Sequence, residues 1–433
     1  MDTKHLSFVD IVVSFTRGPG VLISDSSDIT LLNVSVLGVG ETGINVIGSN
    51  NTVVAGATVL HSGGAGIGSY GGGIRSGLET SGLVVVDSTV THVGRRCLSY
   101  YGGITLDSIG AVSAFNAISG TPHIGCNVGT NDGLFEYNVV TDTVLASCDM
   151  GAFYSGAADW SVWNSTVRYS AFYRTGYSGA GCNQQSGTDL ADVYYDTDQS
   201  GVAVYGNVHW APNPPHVPSY KSKARKTYAQ LINGGSHALV ANSIIVDANI
   251  SYYNAIDGLS RDGYSRVCAP NGSYVSGMRA MAWNTGVFAA HYPALAALQA
   301  ACDSGSEACA EDVSCPAAPF GCTLSDMVLV NVTQPIFLAE NASVFNPANF
   351  NVSGQWEGLD PGFQAGSLAA ARASLNFQLS ANSPVYAALP GFRRIPTECM
   401  GPYACPNLTV PYPRAAALRA ELLRRGGAGS MRT

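Results

Sequence analysis

Short stretches alternating apolar and polar residues recur along the first half of the chain. They include Leu32-Asn33-Val34-Ser35-Val36, Val86-Asp87-Ser88-Thr89-Val90, Phe115-Asn116-Ala117-Ile118, Tyr137-Asn138-Val139-Val140, Trp163-Asn164-Ser165-Thr166-Val167, Gly206-Asn207-Val208-His209 and Ala241-Asn242-Ser243-Ile244-Ile245. Period-two alternation over so few residues predicts short strands rather than helices. The asparagines at 116, 138, 164, 207 and 242 are separated by 22, 26, 43 and 35 residues, a basal period of 22 to 26 with insertions. That spacing predicts the coil of a parallel β-helix, with three strands and three turns per rung and Asn pairing with backbone at one bend. A second strand set falls between these units, at 43–48, 66–70, 104–108, 124–127, 151–155 and 192–196. The predicted fold class is therefore all-β, a parallel β-helix (solenoid) with a small helical, Cys-rich insertion. A propeller or sandwich would need closely spaced hairpin signals, which are missing.

The organisation expected is rungs over 1–255, with an N-terminal cap missing, then a helical and Cys-rich insertion over 256–325. Tyr292 to Ala300 reads as its helix. Returning strands, at Val328 to Val332 and Leu375 to Leu379, and a closing segment fill 326–410. A basic, peripheral tail occupies 411–433.

Composition narrows the classes. Glycine contributes 50 of 433 residues and charged residues only 12%, which disfavours long helices, coiled coil and disorder. Lys+Arg 22 against Asp+Glu 30 gives −8, the wrong sign for a nucleic-acid binder. No apolar run is long enough to span a membrane. Of 11 cysteines, four lie between Cys302 and Cys322 without zinc-type spacing, so disulfides are expected and no metal or other cofactor. Nine Asn-X-Ser/Thr sequons, at Asn33, Asn50, Asn164, Asn249, Asn271, Asn331, Asn341, Asn351 and Asn407, point to a secreted glycoprotein. Asn33 and Asn164 are expected to point inward within the Asn ladder and to stay unmodified. The start lacks signal-peptide character, so the N-terminus is expected to be incomplete.

Further motifs carry a resemblance. Thr121-Pro122-His123-Ile124, Asn131-Asp132-Gly133 with Phe135-Glu136-Tyr137-Asn138, Asp149-Met150-Gly151-Ala152-Phe153-Tyr154, Asp159-Trp160 and Arg168-Tyr169 follow one another. Tyr194-Tyr195-Asp196, Ser200-Gly201, Asn233-Gly234-Gly235, Asp360-Pro361-Gly362-Phe363 and Gly391-Phe392 continue the order. The series resembles the right-handed parallel β-helix repeat proteins related to family 141 glycoside hydrolases, over most of residues 6–403. The resemblance implies a right-handed sense for the solenoid and a secreted, monomeric glycosidase acting on a cell-wall or extracellular polysaccharide, with Asp149 and Asp196 as the catalytic carboxyl pair such hydrolysis needs. It implies substrate contacts from His123, Tyr154, Asp159, Trp160, Tyr195 and Arg75. Each has a plainer role open to it: a carboxylate satisfying a turn, a hydrogen-bonded histidine, an aromatic in the core. The strand register sets Asp196 level with Ser155 or Gly156 and leaves Asp149 upstream, so only a bend at Gly151 brings the two together. Asp159 is the nearest substitute for Asp149, and Asp107 shares the register of Asp196. The family's charged positions fall on Ala146 and Ala157 here, and its later arginine and aspartate on Ser236 and His237. A polysaccharide lyase or epimerase, or a polysaccharide-binding β-helix without catalysis, are the alternatives.

Overall fold

The computed structural model describes residues 4–147, 149–156, 159–176, 189–197, 199–212, 226–248, 250–255, 280–297, 321–338, 350–405, 408 and 410–424. The strands stack, all in parallel, into a β-solenoid with three faces. Coil 1 contributes Ser7–Val9 to the first face, Val12–Ser14 to the second and Val21–Ser24 to the third. Each pairs with its counterpart one coil on: Ser7 with Thr30, Val12 with Ser35 and Val21 with Ile44. The third face continues as a ten-stranded sheet to Gln334–Leu338. In coil 10 the strand Cys322–Val330 runs across both the first and second faces, and Phe350–Gly358 stacks on it.

The corner between the first and second faces explains why the sequence repeats as it does. One residue per coil bends there into the left-handed region, among them Asp10, Asn33, Asp87, Phe115, Tyr137, Tyr169 and Asn242. The next residue points inward. In coils 3 to 7 a side-chain oxygen from the following coil accepts its N–H. Ser88 N donates to Asn116 Oδ1 (2.9 Å), Asn116 N to Asn138 Oδ1 (2.9 Å), Asn138 N to Ser170 Oγ (3.2 Å) and Ser170 N to Asn207 Oδ1 (2.9 Å). The inward ladder is thus mixed Ser and Asn, with coil lengths of 22, 28, 32 and 37 residues.

This corrects the expected ladder at three places. Asn242 is the left-handed residue beside the inward Ser243. Asn33 is also a left-handed corner, exposed, and donates to Asp10 Oδ1 at 2.7 Å. Asn164 belongs to a different corner, before the first face; it is exposed and donates to Asp132 Oδ1 at 2.7 Å. Sequence alternation cannot separate a left-handed corner from its inward neighbour, because Asn serves both.

Glycine has a second use at the start of the third-face strands. A Cβ at Gly66 would lie 2.2 Å from Val90 Cγ1 and 2.5 Å from the Gly103 carbonyl. Gly20, Gly43 and Gly103 are hemmed in similarly, so the coil closes there only without a side chain. The lumen is otherwise apolar. In coils 6 to 8 it becomes aromatic, with Phe135, Phe153, Phe172, Tyr195 and His209 in ring contact.

Of the expected insertion, the described residues show helices α1 (Gly286–His291) and α2 (Pro293–Ala297). Cys268, Cys302, Cys309 and Cys315 fall outside the described residues. Cys322 does not belong to a stapled loop: it opens the coil-10 strand and is buried in the lumen. Among the described residues a disulfide joins Cys399 and Cys405. Leu375 to Leu379 is no strand. Leu375 ends helix α3 (Leu368–Ser374) in a left-handed conformation, and Phe377 and Leu379 pack on the outside of the second face. Helix α4 (Pro384–Ala388) joins the same cluster through Val385. The tail is not peripheral, since helix α5 (Pro413–Arg424) buries Ala415 and Leu422 against Leu32, Val53 and Val84 of the first face. Among the described residues no helix is long and apolar enough to cross a membrane.

Candidate functional site

The third-face strands Met150–Ser155 and Asp189–Tyr195 pair in register, Tyr154 beside Tyr194 and Ser155 beside Tyr195. Alternation turns Phe153, Ser155 and Tyr195 into the lumen and leaves Tyr154 on the outside. The register places Asp196 level with Gly156 and, in the following coil, with Asn233. A glycine at 156 matters because a Cβ there would stand 3.1 Å from the Tyr154 hydroxyl, which leans along the strand to reach Asp196.

Three donors converge on Asp196. Tyr154 OH lies 2.7 Å from Oδ2, while Asn233 Nδ2 and the Thr197 N–H each lie 2.7 Å from Oδ1. Both oxygens only accept, which is the bonding pattern of a carboxylate rather than a carboxylic acid. Asp149 is exposed, and its left-handed backbone (φ 57°) bends the chain ahead of Gly151. Through that bend Tyr194 OH reaches Asp149 Oδ1 at 3.3 Å. The rings of Tyr154 and Tyr194 meet edge to face at 5.2 Å. Both candidate carboxylates are therefore anchored by the hydroxyls of one tyrosine pair. Burial, then the charge of Asp196, pushes the Tyr154 hydroxyl far above its ordinary range, and Asp149 adds to this. Tyr154 thus stays a hydrogen-bond donor at any working pH.

His123 borders this site. The residue is 5% exposed, and its ring packs 5.0 Å from that of the exposed Tyr100. Burial lowers its pKa, so the imidazole is neutral at pH 7, and Nδ1 has no hydrogen-bond partner among the described residues.

Arg75 and Asp159 form a separate cluster. Arg75 Nη1 lies 2.8 Å from Asp159 Oδ2, Nε 2.9 Å from Asn131 Oδ1 and Nη2 2.6 Å from Ser161 Oγ. Burial works to raise the Asp159 carboxyl, but Arg75 and Ser161 together outweigh it and hold it below its usual value. The Asp159 charge is thereby committed to Arg75, so it is no free stand-in for Asp149. The cluster extends to the helical segment: Asn131 Nδ2 contacts Tyr292 OH at 3.4 Å, and His291 Nε2 lies 3.1 Å from Asp132. It anchors α1 and α2 to the solenoid.

Two expected substrate contacts are closed off. Tyr195 is 0% exposed, its hydroxyl 3.0 Å from Ser165 Oγ inside the lumen, and Trp160 is also 0% exposed. Neither ring has a face to offer a sugar. Asp107 does share the Asp196 column, as pairings Ile104–Cys126, Cys126–Phe153 and Phe153–Val193 show. Two coils intervene, however, so the backbones are about 14 Å apart at about 4.8 Å per coil. The sequence reading missed Asn233, Tyr194 as the Asp149 anchor, and Tyr100. Asn233 was detectable by carrying the Asp196 register one coil further. No family model matches the chain, and no curated protein is significantly similar to it.

Proposed function

We propose that the chain is a right-handed parallel β-helix glycosidase of the family 141 kind, cleaving a cell-wall or extracellular polysaccharide at Asp149 and Asp196. The observation that carries this reading is the Tyr154–Tyr194 pair bracing one carboxylate at each hydroxyl on an open face. Asp196, saturated with donors, suits the nucleophile or water-activating base. Asp149, exposed and reached by the Tyr194 hydroxyl at a longer distance, suits the acid that protonates the leaving oxygen. The right-handed sense follows the near-universal rule for parallel crossovers. Secretion and glycosylation fit the Cys399–Cys405 disulfide and the exposure of Asn33, Asn50, Asn164, Asn331 and Asn351, the sequon asparagines among the described residues. The raised Tyr154 pKa argues against a lyase using that tyrosine as base.

The test is Asp196→Asn, which keeps the shape and removes the charge: its amide oxygen still accepts from Asn233 and Thr197, while its NH2 meets the Tyr154 hydroxyl as a donor. Turnover of a responsive polysaccharide should fall roughly 10²- to 10⁴-fold, with unchanged folding by circular dichroism. Unaltered turnover would refute the assignment. Wild-type protein that binds glycan without cleaving it would favour the binding-protein reading instead.

A further inference from the structure

The corner between the second and third faces holds a cleft of about 450 Å³ near the start of the solenoid. Its backbone is a stack of adjacent coils: Gly40 N donates to the Thr16 carbonyl, Gly63 N to Val39 and Arg96 N to Gly63, each at 2.9 Å. A Cβ on Gly40 would lie 2.1 Å from the Arg17 carbonyl, and one on Gly63 2.0 Å from the Gly40 carbonyl. The floor is therefore bare of side chains by steric necessity. Arg17, Arg95 and Arg96 wall it.

These arginines differ from others in the chain. Arg75, Arg168, Arg174, Arg372 and Arg419 each sit against a carboxylate. Among the described residues Arg17, Arg95 and Arg96 have no such partner, and no lining residue is acidic. Among the described residues the Arg95 guanidinium donates to the His61 carbonyl (3.1 Å) and that of Arg96 to the Gly40 carbonyl (3.2 Å), one bond each out of five N–H groups. Three unneutralised cations thus converge on one cleft of a chain whose net charge is −8. His61 lies alongside with its ring 5.2 Å from His92, held below its ordinary pKa by burial and then by His92 and Arg95.

The cleft is joined to the candidate site by one segment. Past Arg95 and Arg96 the chain runs to Tyr100 and Tyr101, 73% and 39% exposed. Tyr100 packs on His123 and lies close enough to Tyr154 to raise its pKa. Cation-lined cleft, exposed tyrosines and carboxylate pair therefore lie along a single side of the solenoid, spanning coils 1 to 7, or about 29 Å at about 4.8 Å per coil.

We propose that this cleft is a distal subsite for the acidic groups, carboxylate or sulfate, of a polysaccharide whose sugar rings lie over Tyr100 and Tyr101. The placement of its cleavage point rests on the glycosidase reading; the binding itself does not. Guanidinium forks match carboxylate and sulfate oxygens geometrically, and aromatic rings flank sugar faces along the same track.

The experiment measures binding, by calorimetry, on Asp196→Asn protein, so that turnover does not enter. The probes are polygalacturonate (carboxylate), dextran sulfate (sulfate), neutral xylan and single-stranded DNA. At least one acidic glycan should bind more tightly than xylan and weaken with added salt. Arg95→Gln with Arg96→Gln should reduce that affinity about tenfold, and the paired lysine substitutions should recover part of it; both variants should melt like the parent. Equal affinity for xylan, no loss in the glutamine variant, or DNA binding as tight as the glycan's would each overturn the subsite. Turnover retained by Asp196→Asn would refute the glycosidase reading alone and leave the binding result standing.

Discussion

The buried pair Arg419–Asp87 offers the sharpest test of how the tail is held. Arg419 lies on α5 and Asp87 at a left-handed corner of the coil, with side chains 3% and 0% exposed. Nε sits 2.8 Å from Oδ2, the Tyr403 N–H donates to Oδ1 at 2.6 Å, and the guanidinium stands 3.6 Å over the Phe115 ring. Burial raises the Asp87 carboxyl above its usual range even though Arg419 pulls it down. Arg419→Met keeps the apolar stem and removes the charge, leaving a buried carboxylate without its cation, at a cost of about 3–5 kcal/mol. Because α5 lies outside the coil, that cost falls on its docking rather than on the rungs. Amides of 413–424 should exchange with solvent roughly two to three and a half orders of magnitude faster at pH 7, while those of Val84–Val86 stay protected. The defect should shrink as pH falls, since the stranded Asp87 carboxyl then takes up a proton. Adding Asp87→Asn, which tolerates the left-handed backbone and still accepts from Tyr403, should restore most of the protection. Unchanged exchange in Arg419→Met, uniform loss across all coils, or no rescue by Asp87→Asn would refute the reasoning.

Other consequences are as direct. Gly66→Ala sets a methyl 2.2 Å from Val90 and 2.5 Å from the Gly103 carbonyl, and should cost about 1–3 kcal/mol of stability in urea unfolding, more than an alanine at Gly18, where nothing lies within 4 Å. Asp192 is sealed in the lumen, bonded by Thr175 Oγ1 (2.5 Å) and His209 Nδ1 (3.2 Å), and burial raises its pKa above 3.8. A native carboxyl that holds its proton more tightly than the unfolded one loses stability as pH rises from about 4 through its folded pKa. Asp192→Asn should flatten that part of the pH–stability curve, and a curve no flatter than wild type's would contradict the burial argument.

The chain's own pattern determined the solenoid. A polar residue recurring at coil-length spacing, followed by strands of constant type, has no other economical reading, and the third-face strands fell at the expected segments. Low charge and abundant glycine follow from the same architecture: lumen positions are apolar, and close passages between coils exclude side chains. What the sequence left undecided turns on distances across coils. Whether an Asn at a corner faces in or out depends on one residue of register, so Asn33, Asn164 and Asn242 were legible as repeat members but not as outward ones. Tyr195 and Trp160 read like Tyr154 until alternation and packing turn them inward. Asp149 and Asp196 come under one tyrosine pair because strands of adjacent coils set Tyr154 beside Tyr194. The pairing of Arg75 with Asp159, and the three cations left without carboxylates at the opposite corner, belong to the tertiary structure alone. Coulomb and hydrogen-bond energies fall off over a few ångströms, and only the stacking of coils fixes which residues, tens or hundreds apart in the chain, come within that range.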